Sequence, residues 1–288
     1  MPTPFDQPAS LRVLITGAAG NIGRVLRSHF KGRYALLRLT DIAPQDPAGP
    51  GEEVLKVDIR DPMALEQSLQ GIDCVIHLAG VPEEDVWSKV LPLNIEGCYN
   101  VFEAARSAGV RRVVFASSNH AIGFHRRETF IDTDVAPRPD GRYGLSKVFG
   151  EALGRLYADK YGLSVACLRI GSFRPNNRPS ESRHLLTWIS HRDMAQLTYR
   201  CVEHPAYHFV AVYGVSNNLR SRWDNTRVKF LGYRPEDNAE DFAAEVLANS
   251  PQEDPIAVQF HGGMYCPIEF VGDTQRIDDG PLYPVDGL

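Results

Sequence analysis

Tyr143 and Lys147 stand one helical turn apart in the string Tyr143-Gly144-Leu145-Ser146-Lys147, so on a helix a phenol and an ammonium share one face. A phenol with its ordinary pKa of about 10 is a poor base at neutral pH, and a neighbouring cation favours the phenolate. Tyr143 could then accept a hydroxyl proton while a hydride leaves the same carbon. Ser118, in Ala116-Ser117-Ser118-Asn119-His120, follows an apolar run and would hydrogen-bond the reacting oxygen. A Tyr and Lys at this spacing recur by chance, and the reading gains its weight from a glycine-rich turn far upstream.

That turn is Thr16-Gly17-Ala18-Ala19-Gly20-Asn21-Ile22-Gly23, directly after the first apolar run. Glycine there permits a tight turn and lets backbone N–H groups and a helix N-terminus approach a pyrophosphate. Gly17, Gly20, Asn21, Ile22 and Gly23 are therefore candidate contacts to a dinucleotide. The second run ends at Asp41, where a carboxylate would accept hydrogen bonds from ribose hydroxyls and repel a 2′-phosphate, which points to NAD. Arg38 and Arg60 lie nearby and leave NADP open. Asp58 and Ile59 could frame an adenine, and Leu78, Ala79 and Gly80 could pass under the cofactor, because ligands sit beyond the carboxyl ends of parallel strands. Asn94 is placed in the same cofactor set, together with Tyr143 and Lys147. His77 reads as a packed, hydrogen-bonded histidine.

The elements that must hold these groups alternate. Strand-length apolar runs at 12–15, 34–39, 54–57, 74–78, 112–116 and 164–170 are separated by helix candidates at 21–30, 63–69, 90–108 and 143–161. This is the pattern of a Rossmann-type doubly wound parallel sheet with helices on both faces. Asp61-Pro62 reads as an N-cap with Pro at the first helical position, and Gly71 and Gly109 stand where helices should stop. We read residues 1–10 as a flexible lead-in, 11–172 as the NAD-binding core, 173–250 as mainly a small substrate-binding lobe with returning core elements, and 251–288 as an irregular tail. In the lobe, 173–182 reads as a loop able to reach over a ligand, with a helix at 192–202 and a strand at 209–213. No internal repeat is evident.

The net charge of -5 argues against nucleic acid or anionic membrane as a partner, since both need a basic face. No apolar stretch approaches the roughly 18 residues of a membrane span. The five cysteines are scattered without a Cys-x-x-Cys pair, which suggests neither a metal site nor a disulfide framework and fits a reducing cytoplasm. Arg111-Arg112 and Arg126-Arg127 read as solvated surface pairs, and Trp188 and Trp223 as packing anchors.

The glycine turn, Ser118, Tyr143 and Lys147 together resemble the extended short-chain dehydrogenase/reductase superfamily over roughly residues 11–242. The longer strings Ser117–Phe124, Arg138–Lys147, Leu168–Ser172, Thr187–Ser190, Trp223–Asn225 and Phe230–Gly232 are similar to the uronate dehydrogenase family. The resemblance implies oxidation of the C1 hydroxyl of cyclic galacturonate or glucuronate with NAD, giving an aldarolactone. It places the substrate-carboxylate arginine at Arg183, where a planar guanidinium can make two parallel bonds. Asn119, His120 and Ser172, with Ser118 and Tyr143, would fix the sugar. Two departures stand out: Pro82 occupies a position where a substrate-contacting serine is expected, and the 173–182 loop is longer than usual.

The nearest alternative is a nucleotide-sugar epimerase or reductase, which needs basic groups for a diphosphate, and no such cluster is evident. A non-catalytic NAD-binding sensor commonly lacks the Tyr and Lys pair. Fold analogy further implies a homo-oligomer built on the 90–108 and 143–161 helices.

Overall fold

The computed structural model describes residues 7–277. Its centre is a seven-stranded parallel sheet: β1 (Arg12–Thr16), β2 (Leu36–Asp41), β3 (Glu52–Lys56), β4 (Cys74–His77), β5 (Arg112–Ser118), β7 (Ser164–Ile170) and β10 (Phe209–Gly214), ordered β10-β7-β5-β4-β1-β2-β3. The two-residue strands β6 (Ile131–Asp132), β8 (Ser172–Phe173), β9 (Trp188–Ile189) and β11 (Trp223–Asp224) make two small pairs, β11 with β6 and β8 with β9. The helices are α1 (Asn21–Phe30), α2 (Pro62–Ser68), α3 (Trp87–Val90), α4 (Gly97–Ser107), α5 (Arg142–Tyr161), α6 (His184–Thr187), α7 (His191–Glu203) and α8 (Ala243–Asn249).

Burial on both faces explains why the central strands read as unbroken apolar runs. Successive side chains point to opposite sides: Val13, Ile15, Val114, Ala116, Ala166 and Leu168 join one core layer with Leu26 of α1 and Leu197 of α7. Leu14, Val113, Phe115, Val165 and Cys167 join the other, with residues of α2, α4 and α5. Strand order reverses between β1 and β4, which opens a crevice above their carboxyl ends.

Several boundaries differ from expectation for local reasons. β2 begins at Leu36, because Tyr34 turns back against Phe30 with ring centroids 5.5 Å apart. β3 begins at Glu52, paired opposite Leu37; it is the edge strand, where polar side chains are tolerated. Asp61 caps α2 by accepting from Met63 N and Ala64 N, both at 3.1 Å. The single helix expected over 90–108 is instead α3, a π-helical turn at Leu91–Glu96, and α4.

Of the two arginine pairs read as solvated, Arg111 is exposed and pairs with Asp73 (3.0 Å), whereas Arg112, Arg126 and Arg127 are not solvated surface groups. Arg112 is almost fully buried: Nη1 donates to Val202 O at the end of α7 (2.6 Å), Nε to Ser164 Oγ (3.2 Å), and the guanidinium lies over Tyr207. Carbonyls at a helix C-terminus are a natural partner for a cation. Arg126 donates to Gln259 Oε1 and Thr274 O, and Arg127 to Ala257 O and Phe260 O while pairing with Glu253. These bonds fasten the segment after Ser250 to the body of the protein. That segment runs through short 3-10 turns at 257–259, 263–265 and 274–277. Pro8–Ser10 also forms a 3-10 turn, and residues 1–6 and 278–288 of the expected lead-in and tail lie outside the described residues. Trp188 and Trp223 are buried packing residues.

His77 is buried, with Nδ1 2.8 Å from Thr16 Oγ1, and burial pushes its pKa down to about 3. His261, held between Trp223 Nε1 and Thr129 O, is likewise pushed down to about 3. Unfolding frees both to bind protons, so stability is full above pH about 6.5 and falls as pH drops toward 3. Thermal melts between pH 7 and 4 should show this decline, and His77→Asn should flatten it; an unchanged slope would remove His77 from the cause.

Candidate active site

A cavity of about 650 Å³ opens over the crevice between β1 and β4 and extends across the ends of β5 and β7. At one end Gly17 has φ +71, and a Cβ on it would stand 2.7 Å from Ala79 N. Only glycine allows this turn and this approach of two backbones. The chain then enters α1, whose Asn21, Ile22 and Gly23 line the cavity beside Gly20, presenting free N–H groups where an anion would bind.

Asp41 is fixed on the wall: Oδ2 accepts from Ala19 N and Oδ1 from Ala43 N, both at 2.9 Å. The two arginines that could have favoured a 2′-phosphate are engaged elsewhere. Arg38 donates to Glu53 and to Ser68 O (both 2.6 Å), and Arg60 is clasped by Asp58 (2.6 Å). Asp58, Ile59, Leu78, Ala79 and Gly80 all line the cavity. Asn94 does not line it. It stands behind the wall in the π-helical turn, gripping Val81 N (2.7 Å), Val81 O (3.1 Å) and Ser146 Oγ (3.0 Å), so it holds the loop after β4. The glycine cradle, the open helix N-terminus and a carboxylate at the end of β2 fit the pyrophosphate and ribose of NAD.

At the other end Ser118, Asn119, His120, Tyr143, Lys147, Ser172 and Arg183 come together on one wall. Glu84, in the loop after β4, accepts from Arg142 N (3.0 Å) and Tyr143 N (2.8 Å) and so caps α5 from a distance. Lys147 Nζ donates to Ala116 O (2.8 Å) and lies 5.3 Å from the centroid of the Tyr143 ring. Burial lowers the Lys147 pKa to about 8. Burial also raises the Tyr143 phenol above its ordinary value, and the hydrogen bond with Ser118 only partly opposes it. Desolvation is therefore the largest influence on the phenol.

Arg183 is buried and is not poised as an open two-pronged clamp. Its Nε and Nη2 donate to His261 O at 2.9 and 2.7 Å, and Nη2 also donates to the Asn119 amide oxygen (2.6 Å), whose nitrogen donates to Ile170 O (3.0 Å). Nη1 has no hydrogen-bond partner among the described residues, so one nitrogen remains for an anion. Ser172 Oγ pairs with Thr187 Oγ1 (2.8 Å), and Pro82 lines the cavity. Phe173, Arg174 and Glu181 of the long loop line it as well. No group of three or more possible metal ligands occurs among the described residues, and no helix there is long and apolar enough to cross a membrane.

Sequence reasoning missed the contribution of the segment after Ser250. Gly262, Met264 and Tyr265 line the cavity, and Tyr265 stacks on His120 with ring centroids 4.0 Å apart. No periodicity signals that contact.

Residues 13–209 match the NAD dependent epimerase/dehydratase family. The chain belongs to that family. Uronate dehydrogenase of Pseudomonas putida is 43% identical over 266 residues, 92% of this chain and 97% of that protein. The crystal structure of uronate dehydrogenase from Agrobacterium tumefaciens superposes with a TM-score of 0.85 at 43% identity, covering 90% of this chain and 97% of that one. A point mutant of that enzyme, complexed with NAD, matches with the same score, identity and coverage. Within the family this chain groups with the uronate dehydrogenases; it is an oxidoreductase, and its cofactor is NAD.

Gly17→Ala should cut NAD affinity by at least tenfold, because a clash at 2.7 Å and a left-handed φ both push the turn away from β4. Fluorescence titration with NADH would measure it, and unchanged affinity would show that the turn can move at no cost to binding.

Proposed function

We propose that this protein oxidises the C1 hydroxyl of a cyclic hexuronate, galacturonate or glucuronate, to the aldarolactone. The observation that carries the reading is that one cavity wall holds Ser118, Tyr143 and Lys147 together with the buried Arg183. A base set alone would suit many alcohols; an adjacent buried cation selects an anionic one. Similarity to uronate dehydrogenases over nine-tenths of the chain supports the same choice.

In this reading Arg183 meets the sugar carboxylate through Nη1, the end left by its bonds to His261 O and Asn119. Charge-assisted bonds of this kind are the strong ones. Asn119, His120 and Ser172 hold ring hydroxyls. Ser118 hydrogen-bonds the C1 oxygen, and Tyr143 takes its proton as the C1 hydrogen departs with the bonding pair. NAD, when bound, accepts that hydride and brings a positive ring to the cavity. Lys147 adds its own charge beside the phenol, and both cations counter the burial that holds Tyr143 protonated. Loss of one proton and one hydride from C1–OH leaves the ester carbonyl of a lactone, which water later opens to the diacid.

The direct test is NADH formation from NAD with galacturonate or glucuronate, neutral hexoses serving as controls. Uronate-dependent reduction is expected; its absence with both acids would overturn the reading. Tyr143→Phe should abolish turnover while leaving NADH binding largely intact, and retained turnover would assign the base elsewhere.

Arg183→Gln should raise KM for uronates by about ten- to hundredfold, the worth of one charged hydrogen bond. An unchanged KM would remove the carboxylate role.

A further inference from the structure

Asp140 directly precedes Gly141, the N-cap of α5, and its carboxylate is fully shielded from solvent. Oδ2 lies 2.6 Å from His120 Nδ1, and Oδ1 has no hydrogen-bond partner among the described residues. Space for this carboxylate comes from three glycines in separate segments. A Cβ on Gly123 would stand 2.0 Å from Oδ2, one on Gly262 1.9 Å from Oδ2, and one on Gly144 3.0 Å from Oδ1. A buried carboxylate with half its capacity unused is costly to stability. Its one strong bond is to a residue of the cavity wall.

That bond has a directional consequence. If the His120 proton sat on Nε2, the Nδ1 lone pair would face a carboxylate oxygen at 2.6 Å, two acceptors in contact. A carboxylate is an acceptor only, so a contact of 2.6 Å calls for Nδ1 as the donor. The other nitrogen, Nε2, has no hydrogen-bond partner among the described residues, although His120 lines the cavity. The ring itself is held in place, stacked on Tyr265 at 4.0 Å and edge-on to Tyr143 at 5.8 Å.

We propose that Asp140 is a positioning residue for the reaction: it keeps the proton on His120 Nδ1 and thereby leaves Nε2 as a bare acceptor for a hydroxyl of the sugar. Asp140 itself never touches the substrate. The proposal rests on the uronate reading of the cavity for the identity of that hydroxyl's owner, and on the Asp140–His120 geometry for the rest.

Two measurements test it. Nitrogen-15 NMR of histidine-labelled protein at pH 8, with the His120 resonances assigned through His120→Gln, should show a protonated Nδ1 and an unprotonated Nε2. In Asp140→Asn the signals should become a mixture, because an amide offers a donor as well as an acceptor and no longer selects one tautomer. In kinetics, Asp140→Asn should raise the uronate KM about tenfold, the loss of one aligned hydrogen bond, with kcat changed less than about twofold. The double variant His120→Gln/Asp140→Asn should be no worse than His120→Gln alone, since Asp140 acts through the ring. An Nε2-protonated His120 in the wild type, an unchanged KM, or additive losses in the double variant would each overturn the proposal. Should Asp140→Asn fail to fold, the wild-type tautomer decides. A wild type inert toward uronates would refute the substrate reading, and the NMR result would still decide what Asp140 does.

Discussion

Everything at the reacting end of the cavity depends on how closely α5 lies against β5. Lys147 Nζ donates to Ala116 O of the strand (2.8 Å), and a Cβ on Gly150 would stand 2.2 Å from the ring of Phe115. A lysine buried to this degree pays heavily in desolvation, which is why its pKa falls to about 8. The carbonyl bond and the close packing offset that cost and lock the helix. One turn earlier, Tyr143 is thereby fixed over the end of β5, beside Ser118. Glu84 completes the constraint by capping the start of α5 from the loop after β4, so the helix that carries the phenol is tied to the strand end that borders the cofactor side.

The same economy governs the loop after β4. Asn94 lies in a π-helical turn, a departure from regular helix that is common at functional sites, and its side chain bonds both backbone groups of Val81 as well as Ser146 on α5. One amide therefore ties the loop over the cavity to the helix that bears Tyr143. The segment after Ser250 is held by Arg126, Arg127 and Arg183 through backbone carbonyls. Arg183 thus serves two partners, holding His261 O of this segment and the Asn119 amide oxygen after β5.

Electrostatics in the cavity is set by burial more than by charge pairing. Tyr143 is raised, and Lys147 and Arg183 are lowered, each chiefly by desolvation. Such a cavity favours the neutral phenol and destabilises both cations, so any further charge brought into it would be felt strongly.

Much of this was legible in the residues themselves. Alternating apolar runs specify a doubly wound sheet because strands buried on both faces are filled mainly by apolar side chains, and the glycine turn, Asp41, Ser118, Tyr143 and Lys147 are read from local spacing because each sits at a strand end or on one helical turn. What the linear order could not reveal lies in contacts between distant segments. Asp140 meets His120 only because Gly123, Gly144 and Gly262 make room for it, Tyr265 reaches the cavity only because arginines far upstream hold its segment, and Arg112 is buried only because α7 ends against it. Local periodicity determined the elements and the motif residues; the packing of remote segments, which no short spacing encodes, decided which side chains meet in the cavity.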